Sequence, residues 1–211
     1  MNESISGKTV PRQSPSGDMK RICVYCGSSP GNDPRYTVAA RLLGEVMLER
    51  GIGLVYGGAS IGVMGAVADA VLDGGGEAIG VIPRALAVKE VAHERLTEQH
   101  VVGSMHERKA MMAELSDGFV ALPGGWGTME EIFEILTWAQ LGFHDKPCGL
   151  LNVAGYYDHL FSFLEHAIDE AFVKPDYRAL LLLEDDAPRL LDRFEVYQAP
   201  KIHKWLTPEE L

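Results

Sequence analysis

The residues best suited to do chemistry in this sequence are Leu122 to Glu131, Leu-Pro-Gly-Gly-Trp-Gly-Thr-Met-Glu-Glu. Gly124, Gly125 and Gly127 have no Cβ, so bare backbone there can come close to a ligand. An apolar run from Gly118 to Leu122 reads as a buried strand before this stretch. The apolar-periodic segment from Ile132 to Phe143 reads as a helix after it, with Thr128 at its opening. Unpaired first-turn amides and roughly half a positive charge at a helix start make such a junction an anion pocket. A phosphate is the expected guest.

A purely structural reading fits the same spacing. Thr128 and Glu131 stand at the Ser/Thr-x-x-Glu separation of a capping box, in which the Glu returns to the helix end and has no chemical role. Spacing alone does not separate the two readings. The three glycines favour the anion pocket, because a cap needs one small residue at most.

Two more glycine loops follow strand-like runs. Ile22 to Cys26 leads into Gly27-Ser28-Ser29-Pro30-Gly31, and Gly53 to Tyr56 leads into Gly57-Gly58-Ala59-Ser60-Ile61-Gly62-Val63-Met64-Gly65. Arg108 shares a helical row with Met105, Met112 and Leu115. On an apolar row, a guanidinium either meets an anion, substrate or core carboxylate, or snorkels to the surface. Lys109 projects about 100° away from it, so one of the two is expected to face solvent.

These side chains must be carried by alternating elements. Strands are expected at 22–26, 53–56, 77–82 (closed by Pro83), 96–102, 118–122 and 148–152, with a last apolar run at 180–183. Helices are expected at 35–50, from about 66, at 103–116, from Thr128, at 156–172 and at 188–194, with a short helix or loop at 85–91. The alternation predicts an α/β fold: a doubly wound parallel sheet in three α/β/α layers, as a single domain at 19–194. Residues 1–18 read as a polar, disordered leader and 195–211 as a tail. Ligands of such sheets sit beyond the strands' carboxyl ends, where all three glycine loops fall, so the loops are expected to line one crevice.

A net charge of -11 and a pI near 5.0 argue against nucleic-acid and anionic-membrane surfaces as partners. No apolar run reaches the ~18 residues of a membrane span, and no apolar signal core is present, so a cytoplasmic protein is expected. Three cysteines cannot all pair. Cys23 and Cys26 lie three apart in a strand and therefore on opposite faces, which suits packing better than redox or metal chemistry. There is no G-x-G-x-x-G, Walker loop or H-E-x-x-H, so neither NAD, a metal nor any other cofactor is expected.

The sequence resembles the Lonely Guy family of cytokinin-activating phosphoribohydrolases, members of which were long labelled lysine decarboxylases. The resemblance rests on Pro123-Gly-Gly-Trp-Gly-Thr-Met-Glu-Glu131, which matches the family's P-G-G-x-G-T-x-x-E. Met105-His-Glu-Arg-Lys109, Tyr56-Gly-Gly through Gly62-Val-Met-Gly65, and Cys26-Gly-Ser-Ser29 support it, in the family's order, across about residues 20–185. It implies a Rossmann-like domain, usually a dimer, that hydrolyses the N-glycosidic bond of an adenosine 5′-monophosphate, often N6-modified, to free base and ribose 5-phosphate. Carried over, Glu131 and Arg108 would be catalytic. Glu90, Lys109, Gly124, Gly125, Trp126, Gly127, Thr128, Met129, Glu130, Thr137, Ser28 and Gly58 would contact the nucleotide.

Residue chemistry agrees with this reading. Glycosidic cleavage passes through an oxocarbenium-like ion, which a carboxylate stabilises, attacks or traps with an activated water. Glu131 lies about one helical turn beyond the loop, at the separation of a 5′-phosphate from its ribose. The Ile132 to Phe143 helix is apolar on more than one face, so a second subunit is expected to cover it, as a homodimer; burial within one chain is the alternative. The rival function is a non-catalytic carrier of a phosphorylated cofactor. Pyridoxal-phosphate decarboxylation is disfavoured, since Lys109 and Lys146 are the only lysines near the loops.

Overall fold

A computed structural model describes residues 19–87 and 92–200. The leader at 1–18, the residues from 201 in the tail, and Glu90 lie outside the described residues.

Seven strands form one parallel sheet in the order β4-β3-β2-β1-β5-β6-β7. They are β1 (Arg21–Tyr25), β2 (Gly53–Tyr56), β3 (Ala78–Pro83), β4 (Glu98–Val102), β5 (Gly118–Ala121), β6 (Cys148–Leu151) and β7 (Leu181–Glu184). The order reverses between β1 and β5, which pair with Cys23 opposite Phe119. Central strands of a parallel sheet are covered on both faces and need no polar alternation, hence runs such as Ile-Cys-Val-Tyr.

The helices are α1 (Arg35–Glu49), α2 (Gly62–Asp73), α3 (Arg84–Ala87), α4 (Met105–Glu114), α5 (Trp126–Leu141), α6 (Asp158–Asp169) and α7 (Ala187–Glu195). Leu43 and Met47 of α1, Val67 and Val71 of α2, and Leu190 and Phe194 of α7 pack in one layer with Ile22, Val24 and Cys26. Met112 of α4 and Ile132 and Ile135 of α5 form the other layer with Cys23 and Tyr25. Cys23 and Cys26 thus enter opposite layers. The three cysteines are buried free thiols, and burial raises the pKa of each.

Several boundaries differ from the sequence expectation. Pro83 ends β3 inside its pairing, opposite Val102 of β4, a strand terminus where the missing N–H is tolerated. The poor alternation of residues 96–102 has a simple cause: β4 is an edge strand, with Glu98 and Gln99 exposed. The helix expected from Tyr156 starts at Asp158, because Val153–Gly155 forms a 3-10 turn and the Asn152 side chain accepts from the Tyr157 amide.

Candidate functional site

The order reversal sets the loops after β1 and β5 side by side, and the loop after β2 joins them. The Gly27 amide donates to the Pro123 carbonyl at 3.2 Å, and the Met64 amide donates to the Gly27 carbonyl at 3.2 Å. Gly62 has φ +63°, and a Cβ there would overlap the Ser28 carbonyl. One crevice is therefore floored by three strand ends.

Helix α5 opens two residues earlier than the sequence suggested. Its N-cap is Gly125, in extended conformation with no side-chain cap, and Thr128 lies inside the first turn, buried. Thr128 is held there because Gly124 lacks a side chain: a Cβ on Gly124 would overlap Thr128 Oγ1 and stand 2.8 Å from the Gly27 amide. A Cβ on Gly125 or Gly127 would meet no heavy atom of the described residues within 4 Å. The first-turn amides thus border open space, without a side-chain cap.

Two tyrosines at the start of α6 staple this loop. Tyr157 Oη donates to the Leu122 carbonyl at 2.7 Å and Tyr156 Oη to the Gly124 carbonyl at 2.6 Å. Tyr36 meets Tyr156 edge-on, with ring centroids 5.6 Å apart. Trp126 stands 92% exposed at the first position of α5, Met129 is half-buried and Glu130 is exposed.

The capping box suggested for Thr128 and Glu131 does not form, since the cap lies three residues before Thr128. A variant of it occurs on α4 instead, with the carboxylate on the amide just before the N-cap Ser104. Ser104 accepts from the Glu107 amide at 3.1 Å, and the Glu107 carboxylate accepts from the Gly103 amide at 2.8 Å. The next residues, Arg108 and Lys109, are thereby aimed at α5.

Glu131 is 8% exposed and Arg108 6% exposed, with Nη2 of Arg108 3.7 Å from Oε1 of Glu131. Arg108 Nε is buried and has no hydrogen-bond partner among the described residues. Burial raises the Glu131 pKa to about 7, against the attraction of Arg108 and with the help of the negative charge on Glu130. Such an acid titrates near neutrality, where a proton acceptor is most effective.

Lys109 departs from the expectation that one of the pair faces solvent. It is buried too, donating to Glu130 at 2.5 Å and Glu134 at 3.0 Å, because two carboxylates one turn apart on α5 reach over it. Burial works against its ammonium, but the two hydrogen bonds outweigh it and hold its pKa above the usual value. Lys146 precedes β6 and donates to the Ala113 carbonyl, at the sheet end opposite the glycine loops. Among the described residues the crevice therefore offers no free lysine of the kind pyridoxal phosphate needs beside its phosphate cup.

Gly124 to Glu131, Arg108 and Lys109 thus come together, with exposed Ser28 at the neighbouring loop. Gly58 is buried with φ +83°, and its carbonyl accepts from the His93 amide at 3.0 Å. Thr137 is not brought to Glu131 within this chain. It lies where α5 faces α6, its hydroxyl donating to the Phe133 carbonyl. No group of acidic, His or Cys side chains arranged to hold a metal occurs among the described residues. The sequence reading missed Tyr156 and Tyr157, whose only signal was a Tyr pair after a strand's carboxyl end. It also missed the Ser104-x-x-Glu107 cap, whose spacing was in plain view.

A family model described as "Possible lysine decarboxylase" matches residues 64–194. The chain is 52% identical to the probable cytokinin riboside 5′-monophosphate phosphoribohydrolase LOGL5 of Oryza sativa subsp. japonica, covering 86% of this chain and 74% of that protein. It is also 52% identical to the cytokinin riboside 5′-monophosphate phosphoribohydrolase LOG1 of Arabidopsis thaliana, covering 84% of each. Among solved structures, the molybdenum cofactor binding protein of Rippkaea orientalis shares the fold at a TM-score of 0.64 and 21% identity, over 84% of this chain and 96% of that one. The molybdenum cofactor carrier protein of Chlamydomonas reinhardtii does so at 0.60 and 23%, over 82% and 98%. Identity of 52% over 74% and 84% of those relatives, on a Rossmann-like sheet, makes the chain a member of the Lonely Guy family.

Proposed function

We propose that the chain is an N-glycosyl hydrolase that converts adenosine 5′-monophosphates, plain or N6-modified, to free base, adenine or a cytokinin respectively, and ribose 5-phosphate. The observation that carries this reading is Glu131, a buried acid titrating near 7, one turn inside the uncapped amide end of α5. The relatives' printed names, phosphoribohydrolases of cytokinin riboside monophosphates, support the same substrate class.

The 5′-phosphate takes the amides from Gly125 to Thr128 as its seat, and this remote grip holds the sugar against Glu131. As a carboxylate, Glu131 stabilises the developing positive charge at C1′ and activates the attacking water. Arg108 serves as a hydrogen-bond donor and not as a general acid. Its unpaired Nε donates to a substrate oxygen, and its charge keeps part of the Glu131 population ionised. Lys109, Trp126, Met129, Glu130, Ser28 and Gly58 line or support this seat.

The protein works as a cytoplasmic homodimer. Support comes from the second apolar side of α5: Ile132, Ile135 and Ala139 pack inward, while Phe133, Leu136 and Thr137 line a cleft of about 140 Å³ against Phe161 and Leu164 of α6. Among the described residues no helix is long and apolar enough to cross a membrane.

The test is incubation of the protein with AMP and with N6-isopentenyl-AMP, followed by chromatography for free base. Release of base from either supports the hydrolase. Tight binding with no release at micromolar protein leaves the carrier reading instead.

A further inference from the structure

Gly57 directly follows β2, and its φ lies outside the left-handed region, so its backbone does not require glycine. Space does. A Cβ at Gly57 would overlap Nη2 of Arg108 and stand 3.1 Å from Sδ of Met64 and 3.5 Å from Cζ of Arg108. Its neighbour Gly58 is the reverse case: φ is +83°, and a Cβ there would come no nearer than 3.5 Å to another atom. One glycine serves the chain's path. The other leaves a hollow filled by a guanidinium.

We propose that Gly57 is a positioning residue for the hydrolysis: its missing side chain is the seat that holds the Arg108 guanidinium over the Glu131 carboxylate. The proposal rests on Glu131 being the reacting acid. Nη2 is the far end of a flexible side chain, so a methyl group at position 57 displaces the cation and leaves the sheet intact. Glu131 faces Arg108 and Lys109 of α4, Glu130 and Glu134 of its own helix, and the neutral side chains of Cys23, Tyr25 and Cys26 at β1. Lys109 is already committed to Glu130 and Glu134. Moving Arg108 therefore removes the main charge that favours the Glu131 carboxylate.

The test uses Gly57→Ala, Arg108→Met and the double variant. In Gly57→Ala the acidic limb of the kcat profile moves to higher pH, and each unit of movement lowers the rate below that limb about tenfold. At pH 9 the rate recovers more fully than at pH 6. The titration of a 13C-labelled Glu131 carboxyl, followed by NMR without substrate, shifts in the same direction. In the Arg108→Met background, Gly57→Ala changes neither readout further, because the atom it displaces is gone.

Equal effects of Gly57→Ala in both backgrounds, or an unmoved titration, overturn the proposal. If Gly57→Ala does not fold, recovery of folding in the double variant upholds the seat, and failure to recover overturns it. Absence of base release by the unaltered protein would defeat the hydrolase reading alone, since the carboxyl titration still tests the seat.

Discussion

Oε1 of Glu131 stands 3.7 Å from Nη2 of Arg108, a charge pair in which both partners are buried at the carboxyl end of the sheet. Neither charge can be removed without consequence for the other. Glu131→Gln is expected to lower kcat at least about a hundredfold while nucleotide affinity stays within about threefold. Arg108→Ala is expected to damage both. Single-turnover kinetics and calorimetric titration check the split, and near-native turnover by Glu131→Gln would remove the acid from the mechanism.

The Glu131 pKa of about 7 gives turnover an acidic limb near that pH, with the rate rising as the carboxylate forms. The stability effect has the opposite sign. The folded pKa lies above the ordinary 4.5, so below 4.5 the group is neutral in both states, and between 4.5 and about 7 ionisation favours the unfolded chain. Relative to Gln at this position, the native acid costs on the order of 3 kcal/mol above pH 8. Glu131→Gln should therefore melt higher than the unaltered protein at pH 8 and match it at pH 4, as thermal denaturation at both pH values will show.

The glycines of the loop separate by what surrounds them. Gly124→Ala forces Thr128 out of its place and should lower both the melting temperature and the affinity for AMP. Gly127→Ala meets open space, so it should melt normally and raise KM for AMP more than for adenosine, because its methyl group stands where the phosphate approaches. A KM unchanged for both substrates would place the phosphate elsewhere.

Tyr157→Phe strands the buried Leu122 carbonyl at a cost of about 1–3 kcal/mol. The melting temperature should fall by roughly 2–4 °C for each kcal/mol in a domain of this size. Tyr156→Phe, at a more exposed hydroxyl, should cost less stability and more AMP affinity.

Phe133→Glu places a charge on the outer side of α5 without entering the sheet core. Light scattering should show the mass fall from two chains to one. A variant that stays dimeric would move the interface off this face.

The fold was legible because its signals were long and redundant. Strand and helix periods alternated, and glycine loops stood at strand ends, so even the separation of Cys23 and Cys26 into opposite layers followed from counting residues. The site was legible where one segment carried it, as from Gly124 to Glu131. It was less so where spacing had two meanings: Ser/Thr-x-x-Glu marks a cap at Ser104 but not at Thr128, and only the position of Gly125 as N-cap separates them. One of Arg108 and Lys109 was expected to face solvent because helical geometry reports direction, while the carboxylates that cover Lys109 come from another helix. Tyr156 and Tyr157 act through hydroxyls on backbone carbonyls more than thirty residues away in sequence, and no local pattern announces such a contact.

The three enclosed thiols offer a practical consequence. Cys23 and Cys148 are fully shielded in the layer that holds α4 and α5, Cys26 is nearly so in the other, and burial suppresses the thiolate form of all three. A maleimide added to the native protein therefore labels only molecules in which the sheet itself has come apart. The chain carries its own clock for global opening, with one or more hands on either side of the sheet, readable by mass spectrometry with no engineered probe.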